Sequence, residues 1–167
     1  MPYTFCPECG ARLEGQLVDG RTRAGCRQCG FVDYENAKPC VGVLVVDGGK
    51  VLLVERAVEP FKGYWDIPGG FLDCDEHPAE AVRREMKEET GLEVEPREVL
   101  DFWIDTYGDE GYRTLNICYV ARVTGGHAEP GSDAVKMEWF ALDALPDNIA
   151  FNWEREALEK LRKWLSG

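Results

Sequence analysis

The segment GFLDCDEHPAEAVRREMKEETGL, from Gly70 to Leu92, constrains this chain more than any other. Pro78 suits the first turn of a helix and Gly91 the position just past its end, so the spacing predicts a helix over Pro78–Thr90. At 100° per residue, Ala79, Val82 and Met86 share one face, which should pack on a sheet. Glu85, Glu88 and Glu89 crowd an adjoining arc of about 100°. Glu80, Arg84 and Glu88 lie four apart in succession, so the arginine can serve both acids. Glu85 and Glu89 are also four apart, yet neither has a Lys or Arg three or four residues away. Bare on the surface, such a pair costs about 0.2–0.5 kcal/mol, which a solvated acidic face tolerates. The glycines before the helix and Glu76 at its mouth favour another use. Carboxylates converging from one helix face suit a hard dication, Mg2+ or Mn2+, which keeps several waters and takes its other oxygens from phosphates.

Charge bears on the same choice. The formal net charge is −12 and the sequence pI about 4.6, so a nucleic-acid backbone would meet net repulsion. Any phosphate-bearing small substrate faces that repulsion too, and dications between protein and ligand would remove it. No run of eighteen apolar residues offers a membrane span. The start, MPYTFCPECG, lacks the basic and apolar stretches of a secretory signal, so a cytoplasmic location is expected.

Around the acidic helix the chain reads as two parts: residues 1–34, and 39–167 after a short polar linker at 35–38. The first part holds CPECG and CRQCG, whose Cys6, Cys9, Cys26 and Cys29 can converge on one tetrahedral zinc. Some thirty residues have too little core to fold unaided, and a structural zinc can supply the deficit. Four sulfur ligands leave no open position, so this metal would be structural. In the second part, VGVLVV and VLLVER flank Asp47-Gly48, a hairpin signal. WDIPGGF breaks regular structure and lets backbone approach a ligand. VLDFWIDTY, TLNICYVARV and VKMEWFAL read as strands. NWEREALEKLRKWL reads as a closing helix, capped by Asn152, with Trp153, Ala157, Leu158, Leu161 and Trp164 as its buried stripe. Cys40 and Cys118, in strands, are expected to be small core residues, and Cys74 sits in the loop before the acidic helix.

Gly70, Glu76 and the run Arg84-Glu85-Met86-Lys87-Glu88-Glu89-Thr90-Gly91-Leu92 match the Nudix box in spacing and residue type. LLVER, WDIPGGF and WFALDALP extend the likeness over about Pro39 to Leu165, and the cysteine knuckles resemble a zinc ribbon carried by some Nudix members. The resemblance implies an αβα sandwich around a mixed sheet and hydrolysis of the pyrophosphate in a nucleoside diphosphate linked to another group. It implies that Glu85 and Glu89 are the central Mg2+ or Mn2+ ligands, with Glu88 beside them, Gly70 and Glu76 completing the site, and Arg84 orienting a glutamate. Members differ in their base. The loop HAEPGSDAVKMEW offers Glu129, Asp133 and Glu138, of which Asp133 is favoured as a further ligand or base. Arg56 could reach a phosphate or form a surface ion pair. Phe61, Tyr64 and Trp65 could stack a base or belong to the core.

Ribbon-bearing NADH pyrophosphatases carry a Ser-Gln-Pro-Trp-Pro-Phe-Pro run after the box, where this chain has VLDFWIDTYGDEG. The proline that marks many ADP-ribose hydrolases is also missing. The layout, including AFNWEREAL, is nearer to compact members resembling ADP-ribose and FAD pyrophosphatases, with NADH or a diadenosine polyphosphate as alternative substrates. Two other classes stay open: a zinc-ribbon adaptor with an inactive Nudix fold, and a nucleotide-sensing protein. Many relatives dimerise, so a homodimer is a further expectation.

Overall fold

The computed structural model describes residues 3–109, 111–131 and 133–166. Its internal contacts divide the chain into two compact units, Met1–Ala37 and Lys38–Gly167.

In the smaller unit a two-stranded hairpin, β1 (Glu14–Val18) and β2 (Arg21–Gly25), joins two repeated turns. In each turn a glycine N–H closes onto the carbonyl of the first cysteine, Gly10 onto Cys6 (2.9 Å) and Gly30 onto Cys26 (3.0 Å). The apolar interior amounts to Cys6, Leu13 and Cys26, with Ala11, Ala24 and Phe31 partly packed against it. So small a core does not hold a fold alone.

The larger unit is built on β3 (Lys38–Asp47) and β4 (Lys50–Arg56). They pair only at the hairpin end, Val46 with Val51 and Asp47 with Lys50, and then splay apart. After them come β5 (Trp65–Asp66), β6 (Gly69–Phe71), α1 (Pro78–Thr90), β7 (Leu92–Thr106), β8 (Arg113–Gly126), β9 (Ala134–Ala141) and α2 (Asn152–Ser166). β3 runs parallel to β8 and antiparallel to β6, β8 pairs with β7, and β4 carries β5 and β9.

The period of two along β3 explains the layers. Val41, Val43 and Val45 point to one side and join Ala81, Val82 and Met86 of α1. Leu44 points to the other and joins Trp153, Ala157, Leu158 and Leu161 of α2. A strand covered on both faces needs a nearly continuous apolar run, and VGVLVV is one. The result is the mixed αβα sandwich. Three details differ from the sequence expectation. Ala79 is only half-buried, and Ala81 takes its place on the packed face of α1. Trp164 is 46% exposed, since α2 outruns the sheet it lies on. At the start of α2 the Trp153 N–H is received by the Asp105 carboxylate of β7, so β7 supplies a cap that was expected from Asn152. Among the described residues no helix is long and apolar enough to cross a membrane.

Candidate active site

The stretch between β5 and α1 holds one wall of a cavity of about 380 Å³. Ile67 anchors it in the core. Beyond it the backbone passes so close to its neighbours that side chains have no room. A Cβ on Gly69 would stand 2.1 Å from the Val41 carbonyl oxygen, and one on Gly70 2.3 Å from Glu85 Oε1. These glycines let the carboxylate of α1 lie directly on the β6 backbone. α1 begins with the His77 side chain accepting from the Ala79 N–H (3.2 Å), with Pro78 in its first turn. It ends at Gly91 in a left-handed conformation (φ 68°), whose N–H reaches the Lys87 carbonyl.

Glu85 is buried, Glu89 half-buried and Glu88 exposed, and all three line the cavity. Arg84 does not use Glu80 as the four-residue spacing suggested. It forks onto Glu76, Nε to Oε1 (2.8 Å) and Nη2 to Oε2 (2.7 Å), and also donates to the Phe71 carbonyl. Its Nη1 meets Glu85 (2.7 Å) and Glu88 (3.3 Å). Glu85 therefore has a cationic neighbour that helical spacing does not reveal, one residue away. Glu76 is occupied in holding this arginine and does not line the cavity.

Glu89 accepts from the Gly69 N–H (2.9 Å). Burial, then the charges of Asp66 and Glu85, push its carboxyl well above the ordinary glutamate range, against the pull of that N–H. Burial also raises Glu85, although Arg84 works the other way. Two neighbouring carboxylates short of positive charge, beside backbone that only glycine permits, form a donor set of hard oxygens. The set fits Mg2+ or Mn2+.

The same cavity is lined by the Arg56 guanidinium, the Asp133 carboxylate and the Tyr107 and Phe151 rings. Asp133 lies beside β9, where its carbonyl receives the Ala57 N–H. Glu129 and Glu138 are exposed and lie off this cavity. Trp65 is buried against Phe140, and Phe61 and Tyr64 flank a separate hollow, so none of the three lines the cavity of the acids. The rings that do are Phe71, Tyr107, Phe151 and Trp153, with Tyr107 stacked between Phe151 (5.6 Å) and Tyr112 (5.7 Å). Cys40 is a buried strand residue as expected. Its thiol, pushed up to about 12 by burial, donates to Asn116 Oδ1 (2.8 Å) on the cavity floor. Sequence reasoning missed Asp66, Asn116 and Glu154, which also line the cavity. A polar residue inside an apolar strand or stripe, as at Asn116 and Glu154, is the signal that could have found them.

In the smaller unit the four cysteine sulfurs lie within 4.8 Å of one another, with Cys6–Cys29 and Cys9–Cys26 each at 3.5 Å. Tetrahedral ligands at the usual zinc–sulfur length of about 2.3 Å stand about 3.8 Å apart, so the cluster fits zinc. Backbone N–H groups, chiefly that of Cys29, pull the Cys26 thiol down to about 7 and prepare it to bind as thiolate.

With this geometry, a glycine-backed acidic helix on an αβα sandwich, known proteins agree. A model of the NUDIX domain matches residues 37–161, and one described as Nudix N-terminal, a zinc ribbon, matches residues 4–35. The chain belongs to the Nudix hydrolase family. It is 37% identical over 131 residues to an ADP-ribose pyrophosphatase of Methanocaldococcus jannaschii, covering 77% of this chain and 76% of that protein. It is 32% identical over 146 residues to the NAD-capped RNA hydrolase NudC of Pseudomonas aeruginosa, covering 85% of this chain but only 49% of that one. A Nudix hydrolase structure from Nitrosomonas europaea superposes with a TM-score of 0.76 at 27% identity, covering 90% of this chain and 85% of the other.

Proposed function

We propose that the protein hydrolyses the diphosphate of an ADP-ribose-type nucleotide, water attacking one phosphorus to give a nucleoside monophosphate and a phosphorylated partner. One observation carries this reading: Glu85 and Glu89 line the same cavity as Arg56. A diphosphate needs positive charge along its whole length, and here the acids can recruit it at one end while the guanidinium supplies it at the other. Glu85, Glu89 and the Gly70 backbone would hold Mg2+ or Mn2+, with Glu88 beside them. When bound, the ion supplies charge neutralisation on phosphate oxygens and acidifies coordinated water. Arg84 keeps Glu85 turned toward the cavity and is itself fixed by Glu76. Arg56 binds the other phosphoryl group. Asp133 is the acid placed to accept the proton of the attacking water. Phe71, Tyr107 and Phe151 offer an apolar wall for the rest of the nucleotide. Two features favour ADP-ribose over NADH. The match spans 76% of the Methanocaldococcus ADP-ribose pyrophosphatase but 49% of the Pseudomonas NudC, and the proline-rich run of NADH pyrophosphatases is missing here.

The test is a panel of ADP-ribose, FAD, NADH, diadenosine polyphosphates and nucleotide sugars, each with Mg2+ and with Mn2+. ADP-ribose should be cleaved to AMP and ribose 5-phosphate with the highest kcat/KM. No turnover of any member would sink the enzymatic reading and leave the adaptor and sensor classes. Zinc in the ribbon is checked by elemental analysis, and Cys6→Ser should lose it.

A further inference from the structure

The first turn of α2 brings a fourth glutamate to the cavity. Glu154 is 0% exposed. A carboxyl taken out of water is tolerated only when its oxygens find partners. Glu154 Oε1 accepts from the Ile67 N–H (3.1 Å), which holds the backbone next to Asp66, and Oε2 accepts from the Phe151 N–H (3.2 Å). Asp66 in turn is ion-paired with Arg56 Nη1. Arg56 also donates from Nε to the Pro60 carbonyl (2.7 Å) and lies over the Phe151 ring at 5.2 Å. Two of these three holds on the guanidinium, Asp66 and Phe151, are themselves tied to Glu154. The docking of α2 does not need the acid, because Trp153, Ala157, Leu158 and Leu161 already bury that stripe. An apolar residue at this position would spare the cost of burying a polar group.

We infer that Glu154 is a positioning residue for Arg56: it fixes Asp66 and Phe151 so that the guanidinium faces the phosphoryl group farther from Glu85 and Glu89. This rests on the diphosphate reading above, and it assigns the C-terminal helix a share in substrate binding.

A double-mutant cycle tests it with ADP-ribose and Mg2+, using Arg56→Ala, Glu154→Leu, Glu154→Gln and the Arg56→Ala/Glu154→Leu pair, with a melting curve for each. Arg56→Ala should raise KM by more than about tenfold, and Glu154→Leu by about tenfold with kcat changed less than about threefold. Glu154→Gln should recover only part of the affinity, since its one amide oxygen can accept from the Ile67 N–H or the Phe151 N–H but not from both. In the pair, losing Glu154 should add nothing to the loss of Arg56, because residues that act through one another are not additive. If Glu154→Leu does not fold, the unbranched Glu154→Met takes its place in the cycle. A wild-type KM in the apolar variant, or a KM in the pair equal to the product of the single effects, would overturn the inference alone. A wild type without turnover would overturn the diphosphate reading beneath it.

Discussion

Helix α1 turns Glu85 and Glu89 toward a cavity open to ligand, whereas α2 brings Glu154 to the same cavity with its side chain fully buried. All three carboxyls are raised first by burial, and the charge of Asp66 presses on both Glu89 and Glu154. What differs is how each helix meets the cost. α2 meets it internally, with backbone N–H groups from Ile67 and Phe151. α1 does so only in part. Arg84 divides its charge among Glu76, Glu85 and Glu88, and Glu89 has the single N–H of Gly69. A helix that leaves negative charge unbalanced beside a cavity is built to receive cations. One that balances it inside is built to hold neighbours in place.

The comparison breaks most visibly at Glu89. Glu89→Gln keeps the shape and removes the charge, so it should lower kcat by roughly 10³ or more, the equivalent of about 4 kcal/mol of lost charge stabilisation. Its melting temperature without dications should not fall, because the substitution also removes a repulsion with Glu85 and Asp66. Steady-state kinetics and thermal melts in EDTA decide the point. Full activity in this variant would mean that α1 is no ion site.

A smaller effect separates the helices by pH. Glu154 is raised well above 4.5 in the folded chain, so the native state keeps a proton that the unfolded chain gives up near that value. Its stabilising contribution is whole below about pH 4.5 and is lost as pH rises through the folded value. Glu154→Gln cannot titrate. In EDTA its melting temperature relative to wild type should therefore climb as pH rises above about 4.5. Parallel curves for the two proteins would show that Glu154 is ionised in the native state.

How far these differences could be read from the sequence depends on how far apart in the chain the partners lie. The acidic arc of α1 and the paired cysteines each repeat within a short segment, and helical or knuckle geometry turns that spacing into position. The strands β3 and β4 were equally open to reading, because a two-residue turn joins two apolar runs. Glu154 lies far along the chain from Asp66 and Ile67, and only the folding of α2 against the β5–β6 joint brings them together. Arg84 shows the same limit at short range. The four-residue rule points it to Glu80 and Glu88, and only the Glu88 contact forms. Glu76 enters from the loop before the helix and offers both oxygens at once, and a two-pronged bond outweighs an exposed single one. Trp65 beside Tyr64 suggested a stacking platform by composition, but alternation along β5 sends it into the core.

The smallest effect sharpens the view of α2 as a docked scaffold that ends before its sequence pattern does. Trp164 continues the stripe of Trp153, Ala157, Leu158 and Leu161, yet only those four are buried. At 46% exposure the indole keeps much of its surface in water. Trp164→Ala should then change stability by less than about 0.5 kcal/mol and leave KM and kcat for ADP-ribose unaltered. Urea unfolding measures it. A loss of about 2 kcal/mol or more would mean that this end of α2 is covered in solution, for which a second copy of the chain is the simplest occupant, and a fall in sedimentation coefficient of the variant would identify it.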